Sequence, residues 1–585
     1  MKLWEVQELT LIAGQTFNNP YMDVDVWIDL EGPGFKKRVY GFWDGGNTYK
    51  VRYTATKPGQ WSYRSGSFPE DSGLCGKTGS FTAEDAGEEA KQKNPALRGI
   101  LRPSANGRGF IHPDGKSFFM AGDTWWAVPT FRFKWSDDDK ERPIEEGYFK
   151  DLVRFRKAQG YNTIAMLAGH PTWANDGFPP KIEIEKDIWA RDAWKQAGTN
   201  SAKDMHNEGG RPFLFPGPVP GYEQVVPDFR RVNPEYFRHM DKKVSYLHNQ
   251  GMLSFIEVAR RDVSTVWKKY GLWPDTYARY IHYLFCRYQA HFCLLSPIHF
   301  DWAACSIPSR EYNEPINIWL NRYGPPPFGT LLGTNASPST LVNFGGPGEA
   351  PWLTFHQNGN WREHDHHWYL TEIFNSNPAM PAIAGEPYYP GFPNDEPPAD
   401  SHDAELNNRS GLYGSFLSGA LGGFIYGVQG IWGADIEKEA THSITSSIKF
   451  LSGAQSPLLK AFALSEGDIY TELIPESELV TPNKAGEPMG YRGWAYCAAT
   501  AEKDYALLYF EKDCPRAAIR GFPPCTRYSL QWFDPESGKW DENVGEIVTD
   551  GVGRALLPLS PYKDDAGIKL LSRGVYGGID TGKKR

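Results

Sequence analysis

Between residues 97 and 455 a short apolar run followed by an amphipathic stretch recurs along the chain. This alternation limits the fold more than any other feature, because strands alternating with helices build parallel sheets. The runs are FFMAGDTWW, reaching Asp123, Trp125 and Trp126; YNTIAMLAGH, ending at His170; MLSFIEVARRD, ending near Glu257; and FCLLSPIHFDWA, ending at Asp301 and Trp302. GTLLGTNAS and PWLTFHQNGN follow, the second ending at His356, Gln357 and Asn358. PAIAGEPYY ends at Glu386, and GGFIYGVQGIWG carries Tyr426, Gln429 and Trp432. Eight such units predict a multidomain α/β chain whose centre, 97–455, is a (β/α)8 TIM barrel. The segment 171–233, rich in Pro, Trp and charge, is too long for a connector and reads as an insertion.

The flanks have a different texture. Residues 1–95 hold strand-like runs broken by GPG, DGG and KPGQ, which predicts an N-terminal β-sandwich with TATKPGQWSYRS as a hairpin turning at Pro-Gly. EDAGEEAKQKNPALRG reads as a linker. From 456 to 585 WAYCAATAEKDYALLYFEK and TRYSLQWFDPESGKWDENVGE read as hairpins of a C-terminal β-sandwich, and the tail GGIDTGKKR as disordered.

Composition narrows the partners. A net charge of −9 with no long basic run argues against nucleic acid. No stretch has the length of a membrane span, and MKLWEVQELTLIAGQ lacks the pattern of a signal peptide, so a cytoplasmic protein is expected. The seven cysteines contain no C-x-x-C pair, which fits free thiols rather than a zinc ribbon. Aromatic residues reach 14%, with 21 Trp and 30 Tyr. Their flat apolar faces with polar tips suit the C–H faces of sugar rings.

In a parallel barrel the chemistry sits at the C-terminal strand ends. Carboxylates expected there are Asp123, Glu257, Asp301 and Glu386. Glycoside hydrolysis needs two, one to protonate the leaving oxygen and one to attack the sugar carbon or activate water. Asp301 and Glu386, 85 residues and about three units apart, would face a shared substrate across the mouth. Glu386 is assigned as nucleophile and Asp301 as general acid/base, with Phe300 and Trp302 offering an apolar setting for a protonated acid. Asp123, Trp125, Trp126, His170, Trp302, His356, Gln357, Tyr388, Tyr426 and Trp432 are assigned to substrate binding. Glu257 either buttresses the site or pairs with Arg260 or Arg261. HDHH at 364–367 looks like a metal cluster but lacks matched carboxylates, so neither metal nor cofactor is assigned.

WEVQELTL, YGFWDGGNTYKVRYTATKPGQWSYRS and GKTGSF together resemble a β-sandwich module found ahead of bacterial glycosidase barrels. FFMAGDTWW, GYNTIAMLAGH, LLSPIHFDWA, WLTFHQNGN, GEPYY and SGALGGFIYGVQGIWG resemble the apiosidase-like glycoside hydrolases. The resemblance implies a retaining-type hydrolase with the strand-four aspartate, Asp301, and the strand-seven glutamate, Glu386, as its pair. The approach to Asp301 is Pro-Ile-His-Phe, where the family is usually glycine-rich. The expectation is therefore a glycoside hydrolase acting on oligosaccharides or glycosides. The alternatives are an inverting glycosidase or lyase on the same barrel, a non-catalytic carbohydrate-binding protein, and a metal-dependent hydrolase. A homo-oligomer is left open.

Overall fold

The computed structural model describes residues 1–169, 206–220, 223, 226–261, 264–303, 306–359, 363–392 and 394–575. His170, most of the 171–233 insertion and the tail from 576 lie outside them.

The chain folds as a central (β/α)8-type barrel between two β-sandwich domains. In the N-terminal domain Val26, Ile28 and Leu30 alternate inward along Asp25–Gly32, and this period of two fixes which face is buried. One sheet runs Phe35–Tyr40, Asp25–Gly32, Gly59–Phe68, Thr78–Ala83; the other runs Gln7–Ile12, Thr48–Tyr53, Phe42–Trp43. The expected hairpin at Pro58-Gly59 is absent. Thr48–Tyr53 and Gly59–Phe68 belong to different sheets, so the turn carries the chain across the sandwich. The expected linker holds a short helix, Glu88–Lys93, and a 3-10 turn, Pro95–Arg98.

Seven parallel strands form the barrel wall, in the spatial order Cys293–Ser296, Leu253–Ala259, Thr163–Gly169, Met120–Thr124, Gly423–Tyr426, Ala382–Glu386, His356–Gly359. The expected fifth strand is not a regular ladder. Its extended backbone makes isolated parallel bridges, Leu295 with Leu332 and Phe300 with Ala336, and Leu332 O accepts from Thr354 N at 2.8 Å on the other side. These contacts close the ring between the fourth and sixth strands. The fourth strand stops at Ser296, five residues before Asp301, because Pro297 has no N–H to continue the ladder.

Helix boundaries follow local chemistry. Asn233 caps Pro234–Asn249 through its side chain, with Pro at the first turn, and Ser401 caps His402–Leu417. His402–Leu417 has 13 buried residues because it lies between the barrel and the C-terminal sheet. The chain stays helical through Gly467–Glu472, beyond the expected start of the C-terminal sandwich at 456. There a six-stranded sheet packs with a three-stranded one around Leu508, Leu530, Ile568 and Leu570. No helix among the described residues is long and apolar enough to cross a membrane.

Candidate active site at the barrel mouth

Alternation along the strands builds the site. Met120, Ala165, Leu167, Leu253, Phe255, Leu294, Phe355, Ile383 and Ile425 form one buried apolar cluster, the barrel interior. Two residues further along the same faces stand Glu257, Gln357 and Gly385, so the apolar layer gives way to a polar floor.

Gly385 and Gly359 make room for that floor. A Cβ on Gly385 would collide with Gln357 Oε1. One on Gly359 would lie 2.8 Å from Asn335 Oδ1 and 3.1 Å from Glu386 Cβ, which sets the Asn335 amide beside Glu386. Gln357 and Asn335 are buried, and both amide atoms of each lack a hydrogen-bond partner among the described residues. Buried amides are rarely left so, because each unmet group costs about 1–3 kcal/mol. Their arrangement suits a ligand rich in hydroxyls.

Glu386 ends the seventh strand and is only 4% exposed. From it the polar wall continues to Asp301. Asn335 N–H donates to Glu257 Oε1 at 3.0 Å, and Asn335 O accepts from Phe300 N at 2.9 Å. Glu257 Oε2 pairs with His299 Nδ1, and His299 Nε2 lies 3.5 Å from Asp301 Oδ1. Trp126 packs edge-on against the His299 ring at 4.4 Å.

Burial alone would raise the Asp301 carboxyl, but Arg261 at 2.8 Å, Arg260 at 3.4 Å and His299 outweigh it and hold it well below the ordinary carboxylate range. The apolar setting expected from Phe300 and Trp302 is not formed. Phe300 is buried in the outer core, and Trp302 is 47% exposed with Arg261 over its ring. As placed, Asp301 is a carboxylate. Burial pushes His299 down, yet Glu257 and Asp301 push it further up, to about 10, so its imidazole is charged at neutral pH.

A raised histidine value stabilises the fold fully below its unfolded value, and that stabilisation is lost as pH rises through the folded one. We therefore expect unfolding free energy to fall between about pH 6.5 and 10. Chemical denaturation along that pH series, with His299→Gln beside wild type, checks it: the variant should lack the slope.

Several expected binding residues stand elsewhere. Asp123 is fully buried behind the first strand, where its Oδ2 accepts from Arg156 Nε and Trp125 Nε1, each at 2.7 Å. Trp125 is fully buried and stacked on Phe133. Tyr426 is fully buried, with its hydroxyl 2.9 Å from Ser452 Oγ. These three hold the strand-to-helix layer and do not reach the mouth. His356 begins the sixth strand instead of ending it, level with Ala382. It meets Thr340 Oγ1 at 2.7 Å, and burial lowers it to about 4.

Tyr388 and Trp432 line cavities on the loops that follow the strands Ala382–Glu386 and Gly423–Tyr426. Tyr388 faces one of about 710 Å³, and Trp432, with Phe392, one of about 460 Å³. His170 lies outside the described residues. Glu257 takes the buttressing role, bonded to His299 rather than to an arginine. His364 of the HDHH run is tied to Glu511 at 2.8 Å and stacked on Trp494. Among the described residues no group of three or more His, Cys, Asp or Glu converges as a metal site. The sequence reading missed His299, Asn335 and the Arg260–Arg261 clamp. His299 sits two residues before Asp301 on one extended segment, a spacing that could have flagged it.

Residues 104–467 match the apiosidase-like catalytic domain family, and residues 1–68 match a domain of unknown function, DUF5060. No curated protein matches. Among solved structures, a candidate glycoside hydrolase from Bacteroides vulgatus ATCC 8482 aligns with a TM-score of 0.63 at 15% identity, covering 98% of this chain and 99% of that one. A glycoside hydrolase family 5 protein of the same organism aligns with a TM-score of 0.56 at 17% identity, covering 82% and 94%. At such identities these likenesses bear on the fold.

Proposed function

We propose that this chain, which belongs to the apiosidase-like catalytic-domain family and is a glycoside hydrolase, cleaves short oligosaccharides or glycosides with retention, using Glu386 as nucleophile and Asp301 as acid/base. The observation that carries the reading is the buried carboxylate of Glu386 at a strand's C-terminal end, beside the unsatisfied amides of Asn335 and Gln357. Glu386 attacks the anomeric carbon as the bond to the leaving oxygen breaks, and Asp301, which must be protonated for this step, gives that oxygen its proton. The amides bind ring hydroxyls, and they hold most tightly in the oxocarbenium-like transition state. Asp301, kept as a carboxylate by its arginines, suits the second half-reaction. There it takes a proton from the water that displaces Glu386.

The arginine clamp favours a second reading of the first half-reaction, in which charged His299 delivers the proton to the leaving oxygen and Asp301 positions it. An activated 2,4-dinitrophenyl glycoside needs no proton on its leaving group. Whichever of Asp301→Asn and His299→Gln removes the acid should lose oligosaccharide turnover about 100-fold or more while keeping the first-turnover burst of dinitrophenol. If both variants hydrolyse oligosaccharides as wild type does, neither residue is the acid. Product anomer, read by proton NMR in the first minutes, decides between retention and inversion.

For the floor, Asn335→Ala is expected to lower kcat/KM about 10- to 100-fold, which is 1.4–2.7 kcal/mol of lost transition-state binding. An unchanged kcat/KM would remove Asn335 from the hydroxyl site.

A further inference from the structure

The backbone that carries Glu386 leaves its ladder just before that residue. Pairing with the strand Gly423–Tyr426 ends at Ala384, and pairing with His356–Gly359 shifts register between Asn358 and Gly359. The Gly385–Glu386 peptide therefore lies where the sheet holds least, and another group takes up the hold. Tyr389, three residues on and buried, turns back over the end of the barrel. Its ring rests on Gly427, where a Cβ would stand 2.3 Å from two ring carbons, so glycine alone leaves the ring its place. Pro387 and Pro390 stiffen the segment, and Pro390 O accepts from Gln429 N at 3.1 Å.

The Tyr389 hydroxyl joins two strand ends. It lies 2.7 Å from Thr124 Oγ1 and 3.4 Å from Gly385 O. A phenol has one proton to give. With that proton directed to Gly385 O, the phenol oxygen accepts from Thr124. Gly385 O belongs to the peptide group that leads into Glu386. Thr124 is itself fixed, because it ends the strand Met120–Thr124 and its N–H donates to Asp123 Oδ1 at 2.9 Å. Asp123 is held in turn by Arg156 and Trp125. A buried line of bonds thus runs from the Arg156–Asp123 pair through Thr124 and Tyr389 to the peptide before Glu386.

We propose that Tyr389 is a positioning residue for the nucleophile, anchored by Thr124, and that it aims the Glu386 carboxylate by holding the peptide that precedes it. The inference rests on the reading of Glu386 as nucleophile and adds to it the groups that orient the attack.

Tyr389→Phe keeps the ring and removes the hydroxyl. With a 2,4-dinitrophenyl glycoside, the first-turnover rate at saturation should fall about 10- to 100-fold while half-saturation stays within about threefold. Thr124→Val should do the same, and the two together should cost no more than either alone. Thr124→Ser keeps a hydroxyl and should stay within about threefold of wild type. Azide separates aiming from general damage. In Glu386→Ala it attacks in place of the carboxylate, so adding Tyr389→Phe should leave azide-dependent release within about threefold. Circular dichroism melts confirm that each variant is folded. The inference is overturned if folded Tyr389→Phe reacts as wild type does, or if its loss is as large in the azide reaction. Glu386→Gln is assayed beside them. Wild-type turnover by that variant would remove the nucleophile itself, whereas an inactive Glu386→Gln with an unimpaired Tyr389→Phe removes this inference alone.

Discussion

Glu386→Gln is expected to abolish turnover by about four orders of magnitude or more, some 5.5 kcal/mol of transition-state stabilisation. The variant should melt close to wild type. Glu386 is buried at a polar mouth where a neutral amide of equal size fits, so charge is what the substitution removes. Loss of activity with retained fold then assigns the carboxylate to the chemistry. Azide sharpens the result with the smaller variant Glu386→Ala. A small anion entering the space left behind should restore cleavage of a dinitrophenyl glycoside and yield a glycosyl azide of inverted configuration. Wild-type turnover by Glu386→Gln would reject the nucleophile assignment outright.

Arg287→Ala should be the most damaging substitution for stability, at about 3–5 kcal/mol. Arg287 is fully buried where the N-terminal sandwich meets the barrel. It donates to Asp241 Oδ1 at 2.8 Å and Oδ2 at 2.7 Å, and to Asp44 Oδ1 at 3.0 Å. Arg52 from the sandwich reaches the same Asp241 at 2.6 Å. Burial would raise the Asp241 carboxyl, but Arg287 and Arg52 overcome it and hold it far below the ordinary range. Removing Arg287 takes from Asp241 the guanidinium that meets both its oxygens, leaving Arg52 on Asp241 and Lys50 and Arg238 on Asp44. Calorimetry should show a lower first transition, and limited proteolysis should release the sandwich from the barrel. A depressed carboxyl stabilises above its unfolded value and loses that contribution as pH falls toward the folded one. Wild type should therefore approach the variant's behaviour in acid below about pH 4. A variant that melts as wild type does at pH 7 would show that the network adds nothing at the seam.

What could be read from the sequence follows the range of the forces involved. The barrel was legible because strand and helix periods are local, and each run needed only its own residues to declare itself. The fifth position resisted because its pairing is two isolated bridges supplied by neighbours distant in sequence. His356 was placed at the wrong end of its strand because the apolar run before it is not part of the ladder, which starts at His356 itself. Asp123 read as a mouth residue because it ends an apolar run. Strand parity sends its side chain to Arg156 instead, and no one-dimensional pattern names that partner. Glu386 follows Gly385 at the end of a short run, so its position needed only local information. The environment of Asp301 did not, since Arg260 and Arg261 arrive from another strand end.

The helix His402–Leu417 bears on how this chain can be cut. It joins the strand that ends in Glu386 to the strand Gly423–Tyr426, and it anchors the C-terminal sheet through Arg409 to Asp565 at 2.9 Å and through Ser410 to Glu511. Deleting 474–575 would bare a helix with 13 buried residues and leave the Arg409 charge without Asp565, held by Gln455 alone. The matched catalytic region ends at 467, yet the shortest piece able to hold the nucleophile's strand in register runs well past it. Anyone trimming this protein to a minimal catalyst should expect to keep its far end.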